Sequence, residues 1–163
     1  MDRRVAPELP GSPVAAALWR AYRTEAGDRW YLPHGGRRTD PEELEREIAA
    51  ESGAGLVPPR GHPLVARYGD EAAGSAGIRL PDPATAELTR VFLYRGMRGR
   101  GGAALLVRAA EDAARASGAT RLIPDTRGDP VEARALSARL GFTETEPHNG
   151  GPAAEHWFTK RLG

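Results

Sequence analysis

Arg98-Gly99-Arg100-Gly101-Gly102-Ala103 is the stretch whose residue types and spacing first suggest chemistry. Its glycines allow left-handed backbone and let a ligand reach the peptide N–H groups with no Cβ in the way. Arg98 and Arg100 lie inside the run and Arg95 just before it, adding forked donors that suit phosphate oxygens. The combination fits a phosphorylated ligand cradled by backbone amides at the start of a helix. The competing view is solvated surface arginine in an arginine-rich chain, for Lys160 is the only lysine among 23 Lys and Arg.

Such a loop needs a strand to deliver it and a helix to follow it. Ala86 to Tyr94 reads as the strand, and Ala103 to Ser117 as a helix with Leu106, Ala110, Ala113 and Ala114 on one face and Gly118 at its C-terminus. Upstream, Leu64–Tyr68 and Ala72–Leu80 read as two further strands joined by the turn Gly69-Asp70-Glu71, so three strands form an antiparallel meander. Before them, Ser12-Pro13 reads as N-cap and first position of a helix carrying Val14, Leu18 and Tyr22, expected to fade near Gly27. Trp30 to Gly36 reads as a loop with exposed aromatics. Asp40-Pro41-Glu42-Glu43 opens a second helix with a capping box, with Leu44 and Ile48 as its apolar stripe. Downstream, Ala119–Asp125 reads as a strand, Asp129-Pro130-Val131-Glu132 opens a helix ending at Leu140-Gly141, and Phe142–Glu146 and Glu155–Arg161 read as short strands. The expected fold is one α/β domain over 1–163: N-terminal helices, an antiparallel meander, a βαβ unit and C-terminal strands. Residues 1–60 would supply helices and 61–163 the meander and ligand-binding core.

Two phosphate motifs fail. A P-loop needs GxxxxGK[ST], and the only lysine is Lys160. Gly99-x-Gly101-x-x-Ala104 matches the dinucleotide pattern GxGxxA, with Asp125 ending a strand at a suitable distance. That fingerprint belongs directly after a strand, however, and Arg95-Gly96-Met97-Arg98 intervenes. Only about 60 residues follow the loop, too few for a full doubly wound sheet.

A third pattern fits. Arg98-x-x-Gly101-x-Ala103 satisfies [QR]-x-x-G-x-[GA], the signature loop of the GNAT N-acetyltransferase superfamily. The lead-in Ala86-Glu87-Leu88-Thr89-Arg90-Val91-Phe92-Leu93 resembles that family's preceding strand. The segment from Glu132 to Leu136-Ser137-Ala138-Arg139-Leu140-Gly141-Phe142 resembles its later helix, which typically ends L-Y-x-x-L-G-F. The resemblance covers residues 64 to 162 well and the first 60 loosely. It implies a GNAT-like mixed sheet and an acetyl-CoA-dependent transfer of acetyl to a primary amine by direct attack in a ternary complex. Arg98, Gly99, Arg100, Gly101, Gly102 and Ala103 would hold the coenzyme's phosphates, and Phe92 and Leu93 its pantetheine arm, with the Leu93 N–H donating to the developing oxyanion. Pro124 on the neighbouring strand suits an unpaired position there, or simply the end of a strand.

Two residues carry the catalytic expectation. Glu87, on the strand leading to the thioester, is the candidate general base; its alternative role is a sheet-face carboxylate paired with an arginine such as Arg90. Ser137 stands where the family usually has the tyrosine that protonates the departing thiolate. Serine is too short and too weak an acid for that task, so a water, His148 or no specific acid would take it over. His148 and His156 are otherwise ordinary surface or packing residues. This departure keeps a second class open: a non-catalytic or weakly catalytic acyl-CoA-binding sensor or interaction module.

Composition sets the remaining limits. Hydrophobic content of 40% and charged content of 28% describe a soluble globular domain. A net charge of +1 gives no basic excess to suggest nucleic acid. The absence of cysteine excludes a disulfide framework, a zinc–thiolate site and a thiol nucleophile. The four histidines lack HExxH spacing, so no metal is expected. With no apolar leader at the start and no long apolar run, no membrane contact is expected, and a cytoplasmic location follows. Abundant Arg, Ala, Gly and Pro suggest a GC-rich bacterial genome. Expected partners are a small-molecule or peptide amine and a second copy of the chain as a homodimer.

Overall fold

The structure, a computed structural model, describes residues 2–36, 38, 40–50, 56–124, 143–145 and 157–162. The helix expected over 129–140, Asp125, Ser137, His148 and His156 lie outside the described residues. In chain order the elements are β1 (Arg3–Pro7), α1 (Pro13–Gly35), α2 (Pro41–Ala50), β2 (Gly61–Tyr68), β3 (Glu71–Asp82), β4 (Thr85–Leu93), α3 (Gly102–Ala116), β5 (Arg121–Pro124), β6 (Thr143–Thr145) and β7 (Trp157–Arg161). A single 3-10 turn at Arg95–Met97 joins β4 to the glycine run.

The sheet order is β1-β2-β3-β4-β5-β7-β6. β1 to β4 pair antiparallel. β4 and β5 pair parallel, with α3 as the crossover, and β7 returns antiparallel against β5 and β6. The mixed sheet, with its meander and βαβ unit, is the architecture expected from the sequence.

Three parts of the N-terminal reading need correction. Arg3–Pro7 is a strand paired with the end of β2, Arg3 opposite Tyr68 and Pro7 opposite Leu64. The first 60 residues therefore supply a sheet edge as well as helices. The helix α1 does not fade near Gly27, and the expected loop at Trp30–Gly36 is helical up to Gly35, with Pro33 inside its last turn. One helical glycine costs only about 1 kcal/mol, and α1 makes tertiary pairs on both sides of it. Arg38 reaches Asp28 at 3.3 Å, Arg20 pairs with Glu45 of α2, and Arg23 meets Glu47 at 2.8 Å.

The helix starts behave as their sequences predict. Ser12 Oγ accepts the Ala15 N–H at 3.0 Å, and Asp40 Oδ2 accepts that of Glu43 at 3.2 Å. Each satisfies an amide that the helix itself leaves without a partner.

The sheet carries a helix on each face. α3 buries Leu106, Val107, Ala110 and Ala114 against Ala66, Tyr68, Ile78 and Leu88. On the opposite face, Leu18 of α1 packs on Val65 and Phe92, with Tyr22 and Tyr94 beside them. The lone lysine serves this framework: Lys160 of β7 donates to Glu111 of α3, which is only 5% exposed.

Candidate functional site

β4 has two regimes. From Thr85 to Leu88 it pairs with β5, the last rung being Leu88 with Pro124. Proline has no N–H to extend the ladder, and no described residue of β5 pairs with β4 beyond it. The register of β4 with β3 also shifts. Ser75 faces Phe92 and Gly77 faces Thr89, so Arg90 and Val91 together oppose Ala76. This is a β-bulge, and Arg90 carries it with a left-handed φ of 56°. Side-chain parity flips there. Ala86 and Leu88 face α3 before the bulge, and Val91 and Leu93 face it afterwards.

The backbone directions after the bulge follow from three contacts. The Tyr94 N–H donates to Ala73 O at 2.9 Å, so residue 94 bonds toward β3. The Phe92 carbonyl lies against Gly74 of β3, where any Cβ would collide with it. Alternation then turns the Leu93 N–H and C=O away from β3, to the side on which β5 pairs with the first half of β4. Leu93 thus presents its amide where the sequence reading wants an oxyanion or pantetheine donor. Phe92 does not: its backbone faces β3, and its ring sits edge-on to Tyr22 and Tyr94 at 5.9 and 5.8 Å.

This end of β4 leads through the 3-10 turn at Arg95–Met97 into the glycine run. Gly99 and Gly101 both adopt left-handed φ, 81° and 78°. Gly101 is the N-cap of α3, and the first bond into the helix is Leu105 N–H to Gly101 O at 3.1 Å. The amides of Gly102, Ala103 and Ala104 therefore have no intrahelical acceptor. The first turn of α3 holds no acidic residue to neutralise its positive end. Gly102 is required by packing, because a Cβ there would overlap Tyr68 Oη and stand 3.0 Å from a Leu93 methyl. The helix start is thereby pressed onto the ends of β2 and β4.

The arginines divide by role. Arg98, which the motif offers to phosphate, turns back: Nε donates to Leu93 O at 3.1 Å and a terminal nitrogen to Glu25 at 2.6 Å. Arg95 shares the same carboxylate at 3.2 Å. Glu25 of α1, its side chain 19% exposed, thus ties the loop to the helix on the opposite face. Arg100 is exposed. Behind the loop, the Arg3 guanidinium of β1 donates to Arg100 O. Sequence reasoning missed Glu25 and Arg3. The period-two pair Arg3 and Val5 was the available sign of a strand, whereas nothing local marks Glu25.

Glu87 lies in the paired half of β4, partly buried, with Arg79 of β3 at 3.9 Å. Arg90 instead lays its guanidinium 3.7 Å from the Trp19 ring centroid. A narrow cavity of about 30 Å³ lies between α1 and the sheet, bounded by Glu8, Trp19, Leu56, Ser75 and Arg90. Among the described residues no acidic or histidine cluster could hold a metal ion, and no helix is long and apolar enough to cross a membrane.

A parallel β4–β5 pair joined through α3, a bulged β4 and left-handed glycines opening a helix are the features to set beside known proteins. The model of the acetyltransferase (GNAT) family matches residues 12–142, and the chain belongs to that family. No curated protein matches it significantly. Among solved structures it is similar to a Klebsiella pneumoniae protein assigned to the acyl-CoA N-acyltransferases (21% identity, 99% of this chain and 98% of that one, TM-score 0.71). It is also similar to a GNAT acetyltransferase of Elizabethkingia anophelis with acetyl-CoA bound (15%, 98% of each chain, TM-score 0.60). A third is the PaiA N-acetyltransferase of Thermoplasma acidophilum in complex with coenzyme A (16%, 99% of each chain, TM-score 0.66).

Proposed function

We propose that this chain is an acetyl-CoA-dependent N-acetyltransferase that moves acetyl to a primary amine by direct attack in a ternary complex. One arrangement carries the reading: the second half of β4, with the Leu93 amide turned away from β3, runs into the left-handed glycines at the start of α3. That places one strand amide and, past the turn, a group of helix-start amides in the order that an amide-bearing arm ending in a diphosphate would meet them. The coenzyme-bound state of two similar structures supports the same ligand.

In this reading the diphosphate lies on the amides of Gly101 to Ala104, where the helix end favours negative charge. The pantetheine arm extends β4 in place of β5. The amine nitrogen attacks the thioester carbonyl, a C–N bond forms, and charge gathers on the carbonyl oxygen facing the Leu93 N–H. The bonded nitrogen gives its remaining surplus proton to water, and collapse breaks the C–S bond and releases coenzyme A thiolate with the neutral N-acetyl product. The attacking ammonium must first lose a proton. Glu87, on the same strand and on the face opposite α3, is the proposed acceptor, directly or through water. Ser137 is too short to deliver a proton to sulfur as a tyrosine would, so the thiolate leaves unassisted or takes a proton from water.

That serine also favours the second reading, an acyl-CoA-binding module with little turnover. Thiol release measured over a panel of primary amines separates the two. Amine-dependent release that falls at least tenfold in Glu87→Gln supports the enzyme and its base. Tight acetyl-CoA binding with no release for any amine supports the module.

A further inference from the structure

Arg3 stands at the far edge of the sheet, three strands from β4, yet its side chain ends at the glycine loop. Cross-strand partners share a face, and Arg3 is opposite Tyr68. Tyr68 faces α3, so Arg3 does too, while Arg4 faces the other way and pairs with Asp2 and Asp70, each at 3.9 Å. The Arg3 guanidinium lies 6.0 Å from the Tyr68 ring centroid. It donates to Arg100 O and sits 3.4 Å from where a Cβ on Gly101 would be. Among the described residues no carboxylate is recorded beside it, in contrast to Arg4, Arg67, Arg79, Arg95 and Arg98.

A cation beside the positive end of a helix is unfavourable by itself. Its hydrogen bond explains the placement. A trans peptide sets C=O and the following N–H in opposite directions. With the Arg100 carbonyl held by the Arg3 guanidinium, the Gly101 N–H points away from Arg3. Residues flanked by left-handed glycines have little else to resist a flip of this peptide. A charged donor on the carbonyl also polarises the peptide and strengthens its N–H as a donor.

We propose that Arg3 is a positioning residue of the anion-binding loop. It locks the Arg100–Gly101 peptide with its carbonyl inward, so that the Gly101 amide is aimed at a phosphate oxygen. The inference rests on the proposed coenzyme site but concerns one peptide within it, so the two can fail separately.

The test uses the full chain and two probes, coenzyme A and inorganic pyrophosphate, with calorimetry and the amide resonance of Gly101 as readouts. Arg3→Met keeps the stem over Tyr68 and removes the donors; Arg4→Met is the control. Arg3→Met is expected to weaken coenzyme A binding about five- to twentyfold and to abolish most of the Gly101 amide shift caused by either probe. Arg4→Met is expected to change neither. A coenzyme A affinity and Gly101 shift unchanged in Arg3→Met overturn the role of Arg3 while leaving the coenzyme site intact. If wild type shows a Gly101 shift with pyrophosphate but no affinity for coenzyme A, the functional reading fails, and the Arg3 comparison is decided on pyrophosphate alone. No shift with either probe in wild type overturns both.

Discussion

Replacing Gly102 with alanine sets two effects of known sign against each other. Alanine is the better helix former, by up to about 1 kcal/mol in a helix interior and less at a first turn. The new methyl, however, would overlap Tyr68 Oη and press on a Leu93 methyl at 3.0 Å. Neither neighbour can easily retreat. Tyr68 is 2% exposed and Leu93 9%, and the phenol donates to Met97 O at 3.4 Å. Overpacking of this kind costs about 1–3 kcal/mol, so packing wins and Gly102→Ala should lose about 1–2 kcal/mol. For a chain of this size that lowers Tm by about 2–8 °C. The displaced helix start also moves the amides of α3, so coenzyme A affinity should fall with stability. Tyr68→Phe removes the oxygen that the methyl meets, at the cost of one long hydrogen bond, about 0.5–1.5 kcal/mol. In that background Gly102→Ala should cost less, only the Leu93 contact remaining, a coupling of about 1 kcal/mol in a double-mutant cycle. Denaturant melts of the four proteins give the answer. A Gly102→Ala variant as stable as wild type, or one whose loss is unchanged by Tyr68→Phe, would refute the packing argument.

Three other outcomes are expected. Gly101→Asp places a carboxylate at the N-cap of α3, where the helix end welcomes it and a bound phosphate does not; coenzyme A affinity should drop at least tenfold while Tm shifts by only a few degrees. Glu25→Gln removes the charge shared by Arg95 and Arg98; coenzyme A Kd should rise about three- to tenfold, and Glu25→Asp should recover part of it by calorimetry. The Glu8 carboxyl is held below its ordinary value first by the Ser12 hydroxyl and then by Arg67. Because its folded value is depressed, it adds stability above its unfolded value that is lost as pH falls through the folded one. Glu8→Gln should therefore flatten the fall of Tm between about pH 5 and pH 3, and an unchanged profile would count against the Ser12 and Arg67 contacts.

Local signals carried the parts of the fold that are locally determined. The caps at Ser12 and Asp40 bond as their residue types imply, and the glycine run, α3 and the meander follow from pattern and turn chemistry. What the sequence hid depends on distant partners. Five residues, Arg3–Pro7, become a strand because β2 offers an edge to pair with. Gly27 and Pro33 suggested a helix end, yet α1 continues through both. Its carboxylates at 25 and 28 are engaged by arginines of the glycine loop and of the segment before α2. Thr89-Arg90-Val91 bears no mark of a bulge, since arginine is a poor choice for a φ of 56°. That bulge decides that Leu93 and not Phe92 turns its amide outward. The loop motif marked the proposed binding region, but the motif arginine Arg98 is directed at Leu93 O and Glu25, which only a three-dimensional view reveals.

The central claim is that this loop and strand edge hold an acyl-coenzyme A. Calorimetric titration of the purified protein with acetyl-CoA, with NAD as the control ligand, tests it most directly. The account predicts micromolar binding of acetyl-CoA and none of NAD. Binding of NAD alone, or of neither ligand, would contradict it.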